Sequence, residues 1–179
     1  MQKNAMCNEV WDILNENGFP TGKTMLRGDN SLKNGEYHLV VHIWIVTSDG
    51  RFLIQRRSNQ RKLMPGEWAA TGGAAITGED SFTAARRELF EEVGIAADRD
   101  HLKKLARIKR RNSLVDVWLT VCDTPPERLT LQKSEVAEVK YVTEEELQNM
   151  IQTGSYHQYG KEYFQTVFQK IQECRGAVI

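Results

Sequence analysis

Residues Gly73 to Ile95 read GAAITGEDSFTAARRELFEEVGI, a glycine-led loop running into a helix with an acidic face. From Asp80 to Val93 the apolar residues Phe82, Ala85, Leu89 and Val93 fall on or near one stripe at helical spacing. Asp80 or Ser81 suits the N-cap, and Gly94 suits a left-handed C-terminal cap. Glu88, Glu91 and Glu92 stand three and four positions apart, so their carboxylates gather on one helix face. Like charges at that spacing cost about a few tenths of a kcal/mol per exposed pair, and more when buried. Hard divalent cations such as Mg²⁺ relieve the repulsion, because they take oxygen ligands and bridge phosphate oxygens. The flanks suit the same chemistry. Gly72-Gly73 allows close backbone approach, and a carbonyl there can join a metal shell. Arg87 is placed to pair with Glu91 one turn away, or with Glu79 across the loop.

Before this stretch, Tyr37 to Thr47 (YHLVVHIWIVT) is rich in β-branched and aromatic residues and predicts a central strand, with Arg51 to Gln55 returning after a Ser-Asp-Gly turn. Arg56 to Glu67 is polar and basic, contains Pro65-Gly66, and reads as a surface loop; Trp68 to Thr71 predicts a short strand entering the glycines. The first segment, Glu9 to Met25, holds Asn17-Gly18 between two short stretches and predicts a hairpin. After the box, strands are expected over Leu102–Ile108, Leu114–Cys122 and Val136–Val142, with Arg110-Arg111-Asn112 as a turn. Thr143 with Glu146 forms a capping-box pattern for a helix through Met150. An amphipathic helix follows over Glu162–Cys174, with Phe164, Val167, Phe168 and Ile171 as its apolar face. This order gives an α/β protein with a mixed sheet between helices.

Taken alone, E-x-x-E-E is usually a solvated helix face. The wider spacing is more specific. Read as G-x5-E-x7-R-E-U-x-E-E-x-G-U, with U aliphatic, the chain supplies Gly73, Glu79, Arg87, Glu88, Leu89, Glu91, Glu92, Gly94 and Ile95. This resembles the box of the Nudix hydrolases, the superfamily that includes MutT-like enzymes. The resemblance implies an α/β/α sandwich with a mixed sheet and a Mg²⁺- or Mn²⁺-dependent cleavage of diphosphate linkages. It implies that Glu88, Glu91 and Glu92 are metal ligands, with Glu88 also a candidate general base. Glu79 would support the metal shell, Gly72 is a candidate carbonyl ligand, and Arg87 would orient the carboxylates. Members of the superfamily often recruit a further acid after the box, for which Glu135 and Glu138 are the candidates.

The runs YHLVVHIWIVTSDGRFLIQRRS, PGEW and EVAEVKYVTEEEL are similar to the Nudix branch related to isopentenyl-diphosphate isomerase, and WDILNENGFPTGKTMLR fits that branch's N-terminal hairpin. The expected organisation is a single domain over 1–179, with a hairpin extension (about 1–35), a core (36–150) and a helical tail (151–179). An isomerase is the first rival. That family uses a cysteine followed closely by a metal-binding histidine, whereas Gly72 and Ala74 stand at about those places here. A ligand-sensing module that has lost its chemistry is the second rival; such proteins usually lose box carboxylates, and this chain keeps all of them.

Substrate clues are weaker. Arg56 and Arg57, with Arg61 and Lys62, form a basic segment whose guanidinium forks match phosphate oxygens. His38 and His42 share one strand face and suit lining a pocket or binding a phosphate, although such residues more often serve as hydrogen-bonded strand histidines. Trp68 is the indole best placed to stack on a nucleobase, because it adjoins the glycine loop; Trp44 and Trp118 read as core. Lys109-Arg110-Arg111 reads as a hairpin tip. Lys+Arg and Asp+Glu each number 24, giving net charge zero and a pI near 6.9, which argues against nucleic-acid or membrane-surface partners. No apolar run is long enough to span a membrane, and Met1 to Ala5 leads into polar sequence, so a cytoplasmic protein is expected. Cys7, Cys122 and Cys174 lack metal-ligand spacing and read as reduced thiols. The amphipathic tail makes a homodimer a reasonable expectation. The expected partner is a small organic pyrophosphate, with nucleoside diphosphate derivatives favoured by family habit.

Overall fold

The β-branched run His38–Val46 (β3) is the spine of the molecule in a computed structural model that describes residues 9–29 and 31–176. It pairs in parallel along its whole length with Ser113–Val121 (β8), from His38 opposite Ser113 to Val46 opposite Val121. On its other edge β3 pairs with Phe52–Arg57 (β4) only at Ile45 and Val46, after which the two strands diverge. Two short strands fill the fork: Trp68–Ala69 (β5) pairs with β4, and Thr71–Ala74 (β6) pairs with β3. Lys103–Lys109 (β7) flanks β8, and Val136–Val142 (β9) flanks β4, completing a seven-stranded mixed sheet. Val10–Leu14 (β1) and Pro20–Leu26 (β2) form the expected hairpin. It joins the main sheet through one bridge, Leu14 to Tyr37.

Alternation along β3 sends its side chains to two different cores. Leu39, Val41, Ile43 and Ile45 pack with Leu53 against Ala84, Ala85, Leu89 and Val93 of the helix Ser81–Val93 (α1). Trp44 and Val46 face the other way, with Phe52, Ile54, Val115 and Val117. That layer is covered by Leu147 of Glu144–Gln152 (α2) and by Tyr163, Phe164, Val167 and Ile171 of Lys161–Gly176 (α3). The result is the expected α/β/α sandwich. Thr143 and Glu146 close the capping box on α2 as the sequence predicts. The apolar face of α3 is consumed inside the chain, so its amphipathy no longer argues for a second copy.

One boundary needs correction. Arg56 and Arg57 belong to β4, not to the loop, because their backbone pairs across to Glu138 and Val136 of β9. The loop starts at Ser58. Arg110 and Arg111 lie at the expected hairpin tip between β7 and β8, and Arg110 is 5.6 Å from the ring centres of both Tyr159 and Tyr163. Cys122 and Cys174 are free thiols, while Cys7 lies outside the described residues. Among the described residues no helix is long and apolar enough to cross a membrane.

Candidate functional site

The diverging strands place the glycines of β6 directly against α1. Asp80 starts that helix by accepting from the Thr83 N–H at 2.7 Å, and Gly94 ends it at φ 73°. Ser81 does not cap; its hydroxyl instead accepts from the Trp118 indole at 3.0 Å. With both ends fixed, Glu88 and Glu92 project from successive turns toward Gly72 and Gly73.

Space is tight there. A Cβ at Gly73 would lie 2.6 Å from the Glu88 carboxyl carbon, so a side chain there would push that carboxylate out of its present place. Gly72 has φ 148°, and a Cβ there would collide with the Val41 carbonyl oxygen across the strand pair. The Gly72 N–H, rather than its carbonyl, meets the acid, donating to Glu92 at 3.0 Å. Gln55 of β4 donates to the same Glu92 oxygen at 2.9 Å, and Thr71 fixes the Gln55 amide by donating to its carbonyl oxygen at 3.1 Å.

The acids differ in environment. Glu92 is buried and among the described residues meets only neutral donors, so burial pushes its pKa up to about 8; repulsion from Glu88 and Glu135 adds to the shift, while the Gly72 and Gln55 hydrogen bonds oppose it. Burial also raises the Glu88 carboxyl, with the adjacent Arg87 pulling the other way. Glu91 is half exposed and reaches Arg87 at 3.1 Å.

Arg87 ties the loop to the helix. Its Nε and Nη2 donate to the two Glu79 oxygens at 2.8 and 2.9 Å. Nη2 also donates to the Ala74 carbonyl, and Nη1 donates to Glu88 at 2.9 Å. Both pairings considered from sequence, with Glu79 and with Glu91, are therefore present. Among the described residues, no group of three His, Cys, Asp or Glu side chains forms a ready-made metal cage.

Of the weaker candidates, Arg57 and Glu135 join this neighbourhood. The Arg57 guanidinium is buried, donates to the Leu63 carbonyl at 3.1 Å and lies within electrostatic reach of Glu92. Burial holds its pKa below the usual guanidinium value. Glu135 is paired with Arg61 and contributes to the field at Glu92. Glu138 instead pairs with Arg56 at 2.7 Å, with both side chains nearly half exposed. His42 is buried on the α3 side of the sheet, where its Nδ1 lies 2.8 Å from the Tyr163 hydroxyl. His38 stacks on Trp11 at 4.5 Å, and Trp68 lies under the Lys140 ammonium at 4.5 Å. Sequence reasoning missed Gln55 and Thr71. The available signal was a polar residue, Gln55, on the same strand face as the apolar Leu53.

Comparison with known proteins agrees with this geometry. The NUDIX domain family matches residues 36–163. A Nudix hydrolase of Listeria monocytogenes is 40% identical over 152 residues, covering 84% of this chain and 89% of that one. An isopentenyl-diphosphate Delta-isomerase of Pectobacterium atrosepticum is 26% identical, covering 89% of each chain, which fits the branch suggested by the sequence. Among solved structures, DR0079 from Deinococcus radiodurans superposes with a TM-score of 0.69 at 26% identity, over 82% of this chain and 90% of that one. The complete box, the sandwich that presents it and the breadth of these matches lead to one conclusion: this chain belongs to the Nudix family and is a hydrolase of pyrophosphate bonds.

Proposed function

We propose that the chain hydrolyses the diphosphate linkage of a nucleoside diphosphate derivative or a related organic pyrophosphate, with Mg²⁺ or Mn²⁺ as cofactor. The observation that carries this reading is the pair Glu88 and Glu92, desolvated against the glycines Gly72 and Gly73. The donor set fits a hard divalent cation: all its side-chain oxygens are carboxylates, and Arg87 is the one cationic side chain bonded among them in the described residues. Glu88, Glu91 and Glu92 would hold the metal, with phosphate oxygens and water completing the shell. When bound, such an ion neutralises phosphate charge and lowers the pKa of a coordinated water.

The chain's own residues then have separate tasks. Glu79 holds Arg87, and Arg87 orients Glu88 and Glu91. The Gly72 N–H and the Thr71–Gln55 pair fix Glu92. Arg57 faces the same region and suits a substrate phosphate. Glu135, rather than Glu138, is the acid after the box positioned to act with the cluster, as a candidate proton acceptor from the attacking water. Glu88 is the alternative acceptor. His42 is best read as a structural histidine held by Tyr163.

The isomerase reading is disfavoured by Gly72. Its positive φ and its contact with the Val41 carbonyl exclude a cysteine at that position without a backbone change. The deciding experiment is a Mg²⁺/Mn²⁺-dependent phosphate-release screen over nucleotide sugars, dinucleotides, nucleoside triphosphates and coenzyme A derivatives, with isopentenyl diphosphate scored for double-bond shift. Metal-dependent release lost in Glu92→Gln supports the proposal. Equal rates in variant and wild type, or isomerisation without hydrolysis, overturn it.

A further inference from the structure

Tyr159 belongs to the short segment between α2 and α3, and the backbone of that segment is tied to the strand leading into the glycines. Tyr156 forms a parallel bridge with Trp68, and the His157 N–H donates to the Trp68 carbonyl at 2.8 Å. The Tyr159 ring then wedges against His42 and Tyr163, with ring centres 4.7 and 4.8 Å away. Packing on these rings fixes the direction of the phenol. Its oxygen accepts from the Ala70 N–H at 3.2 Å.

Ala70 stands two residues before Gly72, whose N–H holds Glu92. Two residues of chain span at most about 7 Å, so the phenol and the Glu92 carboxylate hang on neighbouring amides of one segment. The phenol also lies within electrostatic reach of both Arg57 and Glu92. Arg57 uses its Nε on the Leu63 carbonyl, and its two terminal nitrogens bond to no group among the described residues.

A phenol carries one proton to donate, and for Tyr159 none of the described residues accepts it. Burial pushes its pKa up to about 12, so the proton stays in place at neutral pH. The neighbouring hydroxyls differ. Tyr163 accepts from the Trp44 indole at 3.0 Å and meets His42 Nδ1 at 2.8 Å. Tyr156 has no partner, but at 1% exposure it is sealed in the core. Tyr159 alone of the three joins a spare donor to a place beside Gly72 and keeps some exposure.

We infer that Tyr159 is a substrate-binding residue, its O–H donating to a phosphate oxygen of the bound diphosphate beside Arg57. The inference rests on the diphosphate reading above and adds to it a neutral donor from the segment before α3. A neutral donor can hold a phosphate there without pairing with Glu92, as a further cation would.

The test uses methylenediphosphonate, a diphosphate analogue whose P–C–P bridge resists hydrolysis, titrated by calorimetry into the full folded chain with Mg²⁺. Saturable binding by the wild type is expected. Tyr159→Phe keeps the ring and removes only the hydroxyl. It should weaken the probe about tenfold or more, the loss of one hydrogen bond to a charged group. Tyr163→Phe removes a hydroxyl from the same aromatic cluster, one that already has partners, and should leave the affinity unchanged. With a substrate from the screen, Tyr159→Phe should raise KM by a similar factor at nearly constant kcat, because the contact serves ground and transition states alike. No binding by the wild type, equal affinity in Tyr159→Phe, equal weakening in Tyr163→Phe, or a fall in kcat at unchanged KM overturns the inference. Because the probe is not turned over, failure of the hydrolytic reading shows in the phosphate-release screen and not in this titration.

Discussion

Asp116 and Glu92 are both buried carboxylates in one small sandwich, and they are held in opposite ways. Asp116, on β8, has Lys104 and Arg107 from the neighbouring strand β7. Burial pushes its carboxyl up, but hydrogen bonds from those two cations outweigh that, and it ends below the ordinary carboxylate range. Glu92, on α1, receives only an amide and a backbone N–H, and its pKa rises to about 8. The fold thus supplies counter-ions where an acid is structural. At Glu92 it supplies none among the described residues. An unpaired buried carboxylate is costly to a protein, which is why such groups mark sites that bind something.

This contrast is best broken by substitution at each acid. Glu92→Gln is expected to lower kcat/KM by about 10³-fold or more, the scale on which removal of a key electrostatic group acts. Its melting temperature in the absence of divalent ions should equal or exceed that of wild type, because a neutral amide costs less to bury. Asp116→Asn should do the reverse to stability, costing about 1–3 kcal/mol in denaturant unfolding, since two half-exposed cations lose their partner and water screens part of the effect. A stabilised Asp116→Asn would show that the two acids are not so different.

Histidine burial adds a pH test. Burial lowers His42 to about 3 and His38 to about 4, against an unfolded value near 6.5. Below pH 6.5 the unfolded chain takes up protons that the folded chain refuses, so these two groups make stability fall as pH falls toward 4. His42→Phe should remove about one proton from that dependence, or about 1.4 kcal/mol per pH unit between 6 and 4. Urea unfolding at a series of pH values reads the change, and identical slopes would place the His42 ring in water. The smallest expected effect is thermal stabilisation by Mg²⁺. At tenfold excess over its dissociation constant the ion should add about 1.4 kcal/mol to the wild type and much less to Glu92→Gln.

Much of the sandwich was legible because local patterns decided it. The alternation of His38–Val46, the caps at Asp80 and Gly94, and the Thr143–Glu146 box all act within a few residues. What stayed hidden depends on distant pairing. Gln55 meets Glu92 across 37 residues, and only the fork between β3 and β4 brings them together. Glu135 and Glu138 looked equivalent in sequence, yet one pairs with Arg61 near Glu92 and the other with Arg56 on the exposed edge. Arg57 read as loop because a charged residue at a strand end carries little periodic signal, although its side chain is buried.

The parallel pairing of β3 with β8 also governs how the chain can be made. His38 must wait for Ser113, 75 positions later, before its strand gains that neighbour. During synthesis the helix α1 is therefore complete while the hydrophobic segment HIWIV still has one open edge. Long-range closure of this kind slows folding and exposes a strand able to pair with other chains. Nascent chains stalled before Val121 are expected to be the aggregation-prone species, and those released after it should be competent to bury that edge.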